Sequence, residues 1–327
     1  MEEQVALMET LEPSTQFKGK IDLKTPQNVF WLLMTPGTHG VHGVPQMDAQ
    51  YYFGREVGTT DRSVISKYDL RYRRYLGPTS MDTEMAFIMC NIGKVAKNRL
   101  VLDPFVGTGS ILIAAAHAGA LTLGTDIDMR VIKLGKKDSK GRAVNLYTNF
   151  ADYGLQSPVG LLRSDAHRPP FRSDLAEIFD AVVCDPPYGV RAGGRKGGQR
   201  DYTPKDRQSH YVSTDAYPLG ECLADLLESS ARLLRVGGRL VYFLPAMAGY
   251  YDPAEIPTHP MLRMVSNSEQ FLSRKYSRRL VAMEKAAPYD AAAAAAHRAA
   301  CGKPAMLIDH LHQHVYQGTL PQGKSAS

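Results

Sequence analysis

No stretch of this chain approaches the roughly 20 consecutive apolar residues needed to cross a bilayer. The opening Met1-Glu2-Glu3-Gln4 has neither the basic nor the apolar region of a secretory signal. Membrane-spanning and exported classes are therefore set aside, and a cytoplasmic protein is expected. Cysteine is scarce: Cys90, Cys184, Cys222 and Cys301 are widely scattered and form no Cys-x-x-Cys pair. That excludes a disulfide scaffold and a zinc site of the chain's own, and leaves reduced thiols of an intracellular protein. No internal repeat is visible, which excludes a repeat architecture. What remains is ample: 327 residues, 44% of them hydrophobic, can bury one large or two modest cores. A net charge of +6 with a pI near 9.0 suits a polyanionic partner.

The stretch Asp180-Ala-Val-Val-Cys-Asp-Pro-Pro-Tyr-Gly-Val190 organises the rest. Ala181 to Cys184 is a short apolar run with β-branched members, read as a strand buried on both faces. Two prolines end it, because neither donates a ladder hydrogen bond. Asp185 and Tyr188 are thereby presented at the carboxyl end of a strand, the edge where open α/β sheets bind ligands. The Asp185 carboxylate and the Pro186 carbonyl can both accept from one planar amino group, while Tyr188 lies against the ring that carries it. A plain strand–turn with an Asx-type cap is the alternative.

A cofactor site is read upstream. Leu100-Val-Leu-Asp-Pro-Phe-Val-Gly-Thr-Gly-Ser110 is a strand, a glycine turn and a helix start, where Gly107 and Gly109 permit close backbone approach. No third glycine follows at the dinucleotide spacing, so that fingerprint is not met. The next strand ends in Asp126, about twenty residues on, an acid placed for two ribose hydroxyls. Residues 159–165 form a third strand ending in Asp165, which can accept from an adenine amino group, with Ala166 or His167 lining the ring. For His167 a solvent-facing loop position is the competing expectation. Carboxylates at four strand ends also suit Mg²⁺; that reading is set aside because Asp103 and Asp126 have other uses and no phosphate loop accompanies them. A helix is read as ending near residues 145–150.

Ahead of this lies Lys67-Tyr-Asp-Leu-Arg-Tyr-Arg-Arg-Tyr75, in which Arg71, Arg73 and Arg74 alternate with Tyr72 and Tyr75. It is either a surface for phosphates and bases or a solvated basic linker. Thr79 with Asp82 resembles a capping box opening a helix. Residues 17–33 read as two strands around a turn at 24–26, and 35–50 as a loop. After the Pro-Pro-Tyr turn, Arg191, Arg195, Lys196 and Arg200 sit in a glycine-rich run, read as a loop that orders on RNA or as a solvated one. Residues 219–234 form an amphipathic helix stopped by Gly237-Gly238. Residues 238–245 are the fifth buried strand, and 262–270 with 278–285 an antiparallel finish. Beyond 286 the chain is low in complexity, with a helix open to residues 291–296, and a disordered or lineage-specific tail is expected.

Asp185-Pro-Pro-Tyr188 resembles the motif of amino-group methyltransferases. Together with Arg74-Tyr-Leu-Gly-Pro-Thr-Ser-Met-Asp82, Asp103-Pro-Phe-Val-Gly-Thr-Gly-Ser110, Gly124-Thr-Asp-Ile-Asp128 and Ser266-Asn-Ser-Glu-Gln270, it resembles the tRNA (guanine-10-N2) methyltransferase family in its eukaryotic branch. The resemblance covers roughly residues 17–285. It implies a doubly wound, seven-stranded, mostly parallel Rossmann-like sheet over residues 100–285. A partial RNA-binding THUMP segment (1–60), a basic connector with an entry helix (61–99) and a tail (286–327) flank it. It implies that Asp103, Gly107, Gly109, Asp126 and Asp165, with Thr79, Phe105, Ile127 and Ala166 beside them, hold S-adenosyl-L-methionine. Asp185, Pro186 and Tyr188 would take the target guanine. The implied partners are tRNA and a small zinc-binding activator subunit in a heterodimer, with no membrane. Rival readings are another amino methyltransferase (of DNA adenine or protein glutamine) and a non-catalytic RNA-binding relative.

Overall fold

The computed structural model describes residues 18–20, 22, 24–35, 37, 48–77, 80–128, 130–187, 194–197, 214–247, 256–274 and 276–301. The chain falls into two compact units, Met1–Ser63 and Val64–Ser327.

In the first unit β1 (Phe30–Thr35) pairs antiparallel with β2 (Gln50–Arg55), in register from Phe30↔Arg55 to Thr35↔Gln50. The turn expected at residues 24–26 does not join two strands. Asp22 Oδ1 instead accepts from the backbone N–H groups of Lys24 and Thr25, a local Asx turn that takes the donors a ladder would need. The hairpin leaves Trp31, Leu33, Met34, Tyr51, Tyr52 and Phe53 all at least half exposed.

From the junction onward come α1 (Ser63–Lys67), α2 (Thr83–Ile92), β3 (Leu100–Asp103), α3 (Ser110–His117) and β4 (Leu121–Asp126), then a π-helical turn (Arg130–Leu134). A small hairpin of β5 (Lys136–Lys137) and β6 (Ala143–Val144) leads into α4 (Leu146–Asp152), β7 (Gly160–Arg163), β8 (Phe179–Cys184), β9 (Arg195–Gly197) and β10 (Thr214–Ala216). The chain continues through α5 (Leu219–Leu233), β11 (Leu234–Met247), β12 (Leu262–Phe271), β13 (Tyr276–Lys285) and α6 (Ala291–Cys301). Seven strands form one sheet in the order β12-β13-β11-β8-β3-β4-β7. Pairs β11·β8, β8·β3, β3·β4 and β4·β7 are parallel, and β13 is antiparallel to both neighbours. The doubly wound, mostly parallel sheet expected from the sequence is therefore present.

Burial on both faces follows the strand period of two. Val182 and Cys184 pack with Leu223, Leu226 and Leu227 of α5, while Ala181 and Val183 pack with Met89 of α2 and Ile111 and Ala114 of α3. From β3 the chain winds to one side through β4 and β7, and to the other through β8 and β11. The carboxyl ends of β3 and β8 therefore flank the switch point at which such sheets open a crevice.

Four local expectations are corrected. The N-cap of α2 is Asp82, whose Oδ1 accepts from Met85 N; Thr79 lies outside the described residues. Asn145 starts a helix rather than ending one, because its side chain and that of Thr148 cap each other's backbone reciprocally. The helix over 219–233 passes directly into a strand, and Gly237 (φ +82°) serves the register shift between Leu234 and Arg239. Part of the low-complexity tail is folded onto the domain: Tyr289 donates to Glu228, Arg298 donates to Asp225 at 2.8 Å, and Ala294 is buried.

Candidate active site

The glycine turn lies between β3 and α3. Gly107 and Gly109 have φ of +48° and +82°, a region that L side chains enter at a cost. A Cβ on Gly109 would lie 2.9 Å from Leu146 Cδ1, whereas one on Gly107 would meet nothing nearer than the Phe105 carbonyl at 3.9 Å. Gly109 is thus required by packing, and Gly107 keeps an open cradle free of side chain. Asp126, at the end of β4, accepts from Gly107 N at 3.0 Å and from Asp128 N at 2.9 Å. Burial raises its carboxyl pKa, and these two donors pull it partly back. Asp103, at the end of β3, is fully buried. Desolvation pushes its pKa well up against the Phe105 N–H, and the charges of Asp126 and Asp185 push the same way.

Pro104, Phe105, Thr125, Ser164 and Ala166 line one small pocket together with Leu226, Ser229 and Leu233 of α5. Ile127 is half-buried next to Asp126, and its carbonyl accepts from Arg163 Nε at 3.2 Å. A group with an anionic tail and a ribose fits the open backbone at the turn and the acids at the strand ends. Both Asp165 oxygens are already engaged, Oδ1 by His167 N at 3.0 Å and Oδ2 by Gly197 N at 2.6 Å. An adenine amino group would use a second lone pair there or displace the β9 backbone.

Asp185 follows β8 directly, half-buried, with Pro186 buried behind it. Its Oδ2 lies 3.9 Å from Nη1 of Arg278 on β13. Arg278 lies over the Phe243 ring, 3.7 Å from its centroid, and its Nε donates to Gln270 Oε1 at 2.7 Å. Sequence reasoning placed the strand carrying Arg278 but gave that residue no role. Its signal is a charge in a strand whose following residues, Leu280 to Met283, are all buried.

The basic residues divide. Arg73, expected on a nucleic-acid surface, is instead buried: Nη1 donates to Ser110 Oγ at 2.6 Å and Nη2 to the Tyr68 carbonyl. The segment is a 3-10 turn rather than a strand, so alternation does not decide which side chains face out. Arg71 is exposed and paired with Asp69, and Arg74 is paired with Asp152. Arg195 is exposed on β9, while Lys196 turns back to Glu221 at 2.6 Å. Tyr188, Arg191 and Arg200 lie outside the described residues. His167 lies in a turn, partly exposed, with Nδ1 2.7 Å from Asp225 Oδ2, which also accepts from Tyr217. The ligand atoms of His167, Glu221 and Asp225 lie within 4.8 Å of one another, but Lys196, Tyr217 and Arg298 already satisfy these acids. Among the described residues, no helix is long and apolar enough to cross a membrane.

The family described as "RMKL-like, methyltransferase domain" matches residues 71–204. Among solved structures, TrmN from Thermus thermophilus aligns over 72% of this chain and 56% of its own, at 20% identity and a TM-score of 0.43. The tRNA (guanine(10)-N(2))-methyltransferase TRMT11 of Bos taurus is 41% identical over 300 residues, 88% of this chain and 64% of that protein. Its Homo sapiens counterpart is 40% identical over 303 residues, 88% of this chain and 65% of its own. The chain thus spans a little under two thirds of the length of these relatives. About two fifths of its residues, across nearly nine tenths of its length, are thus shared with these tRNA (guanine(10)-N(2))-methyltransferases.

Proposed function

We propose that this chain transfers a methyl group from S-adenosyl-L-methionine to the exocyclic N2 of a guanosine, guanosine-10, in tRNA. The observation that carries the reading is the juxtaposition at the switch point: an open Gly107 cradle after β3, closed by Asp126 at the end of β4 on one side of β3, and Asp185 with Pro186 just after β8 on the other side. Asp103, Gly107, Gly109 and Asp126 would hold the cofactor, with Thr79, Phe105, Ile127, Asp165 and Ala166 around it. When bound, the cofactor supplies an electrophilic methyl group on a sulfonium.

The chain's own residues do the rest. The Asp185 carboxylate and the Pro186 carbonyl accept the two amino N–H bonds and hold the nitrogen in line, and Tyr188 supports the base. Carboxylates are weak bases at neutral pH, so Asp185 polarises the amine and the proton leaves after the new N–C bond has formed. Alignment is the main gain, since well-oriented intramolecular reactions reach effective molarities of about 10⁵–10⁸ M. The base must leave its stack at a cost of a few kcal/mol, and stacking on Tyr188 returns about 1–3 kcal/mol of it.

Arg71, Arg74, Arg195 and the basic run through Arg191, Lys196 and Arg200 are assigned to tRNA phosphates, with Arg73 excluded by its burial. Residues 1–60 are assigned to a partial RNA-binding segment, a small zinc-binding activator to the role of partner, and the cytoplasm to the place of action. The test is transfer of labelled methyl to tRNA, with and without the activator, followed by mapping of the modified nucleoside. Asp185→Ala is expected to lower the rate by about 10²–10³, the scale for losing one preorganised electrostatic group. Full activity in that variant would remove the mechanism.

A further inference from the structure

Arg278 has no part in the reading above, yet its surroundings are those of a group held ready. The guanidinium lies over the Phe243 ring, its Nε is committed to Gln270 Oε1, and the Gln270 amide in turn reaches Met85 Sδ at 3.4 Å. These contacts fix the plane of the fork and leave it 11% exposed. Among the described residues neither Nη1 nor Nη2 has a hydrogen-bond acceptor within bonding distance. Nη1 stands 3.9 Å from Asp185 Oδ2, too far for a hydrogen bond. The pair therefore presents a carboxylate acceptor and, one step farther along the rim, an oriented cationic donor.

The strand order sets the direction of that step. Asp103 ends β3 on the cofactor side, Asp185 follows β8, and Phe243 and Arg278 lie beyond it on β11 and β13. The Watson–Crick edge of guanine runs donor, donor, acceptor: the N2 amino group, N1–H, then O6. With N2 turned toward the cofactor, Asp185 meets N2 and N1, and the next atom outward is O6.

We propose that Arg278 is a base-specificity residue that donates to O6 of the target guanine. This inference rests on the reading of Asp185 given above. Adenine in the same orientation has no amino group at C2 and no N1–H, so it would leave Asp185 without either partner and set its C6 amino donor against Arg278. Leaving such buried groups unpaired is what makes this kind of discrimination strong.

The experiment pairs a change in the side chain with a change in the base. tRNA assembled from two halves, carrying guanosine or 6-thioguanosine at the target position, is methylated by the full-length protein with its activator. Sulfur keeps the N2 amino group and N1–H but accepts weakly. Wild type is expected to show a kcat/KM about ten-fold lower on the thio substrate, the usual worth of a hydrogen bond to a charged group. In Arg278→Met both rates fall and the ratio contracts to about two-fold or less; Arg278→Lys keeps part of the discrimination. Equal rates on the two substrates in wild type, or an unchanged ratio in Arg278→Met, would overturn the proposal. If Arg278→Met does not fold, the wild-type ratio and the Lys variant decide. Asp185→Asn, run in parallel, separates the two claims. Normal methylation by that variant would sink the reading of the site, whereas a dead Asp185→Asn beside an unchanged ratio sinks only the role of Arg278.

Discussion

Asp103 is 1% exposed, and burial holds its carboxyl pKa well above the ordinary value. The sign of the consequence is fixed by linkage. Between the unfolded value of 3.8 and the raised folded one, the folded chain binds more protons, so stability falls as pH rises through that window and stays lower above it. Asp103→Asn removes this penalty and can still accept from Phe105 N. In cofactor-free protein it is expected to melt several degrees higher than wild type at pH 7, with the gap closing as pH falls toward 4. A gap that widens on acidification would contradict this. The same substitution is expected to weaken cofactor binding, the familiar exchange of activity against stability at a site. This acid was legible in the sequence as the last residue of a buried strand; its burial was not, because depth in the sheet depends on which strands flank β3. Arg73 shows the limit more sharply. Three arginines within four residues look alike in sequence, and only the packing of Tyr68 and Tyr75 into the core shows which one turns inward.

At the scale of elements, the two glycines of the turn separate two functions that the sequence joins in one motif. An alanine at either position takes on the left-handed strain of about 1–2 kcal/mol. Gly109→Ala also drives its Cβ into Leu146, which is buried on α4. It is expected to lose more stability than Gly107→Ala, read as the larger fall in denaturant midpoint at unchanged m. Gly107→Ala points into the open cradle and is expected to lose cofactor affinity by ten-fold or more, read by calorimetric titration. Equal losses of affinity in two folded variants would remove the distinction. The strands themselves were legible because short apolar runs ending in Asp103, Asp126 and Asp185 admit few other readings. The caps were less so. Asn145 lies between a hairpin and a helix, and its reciprocal bonding with Thr148 fixes the direction only once the chain upstream is seen to be β5 and β6. Gly237-Gly238 carries the composition of a helix stop, yet serves a strand that shifts register against β8. Local chemistry names the residue for a break in regular structure but not which element it belongs to.

For the whole molecule, the division at Ser63 and Val64 has a direct spectroscopic handle. Trp31 is the sole tryptophan of the chain, and it lies in the first unit, on β1, with its indole N–H donating to Glu56 at 2.8 Å. Nearly all the regular structure that dominates far-ultraviolet circular dichroism belongs to the second unit. The two units differ in what holds them. The seven-stranded sheet is covered on both faces by buried clusters, whereas β1 and β2 form a two-stranded sheet whose aromatic and aliphatic side chains, among the described residues, stand largely exposed. A two-stranded hairpin with so little burial is marginal in water, and its opening has no need to wait for the larger core. Tryptophan fluorescence and circular dichroism are therefore expected to report different urea transitions, fluorescence first and with the shallower slope, because less surface is exposed when the hairpin opens. Coincident transitions with one m-value would mean that the hairpin melts with the sheet, and that the boundary at residue 63 is no boundary in folding energy.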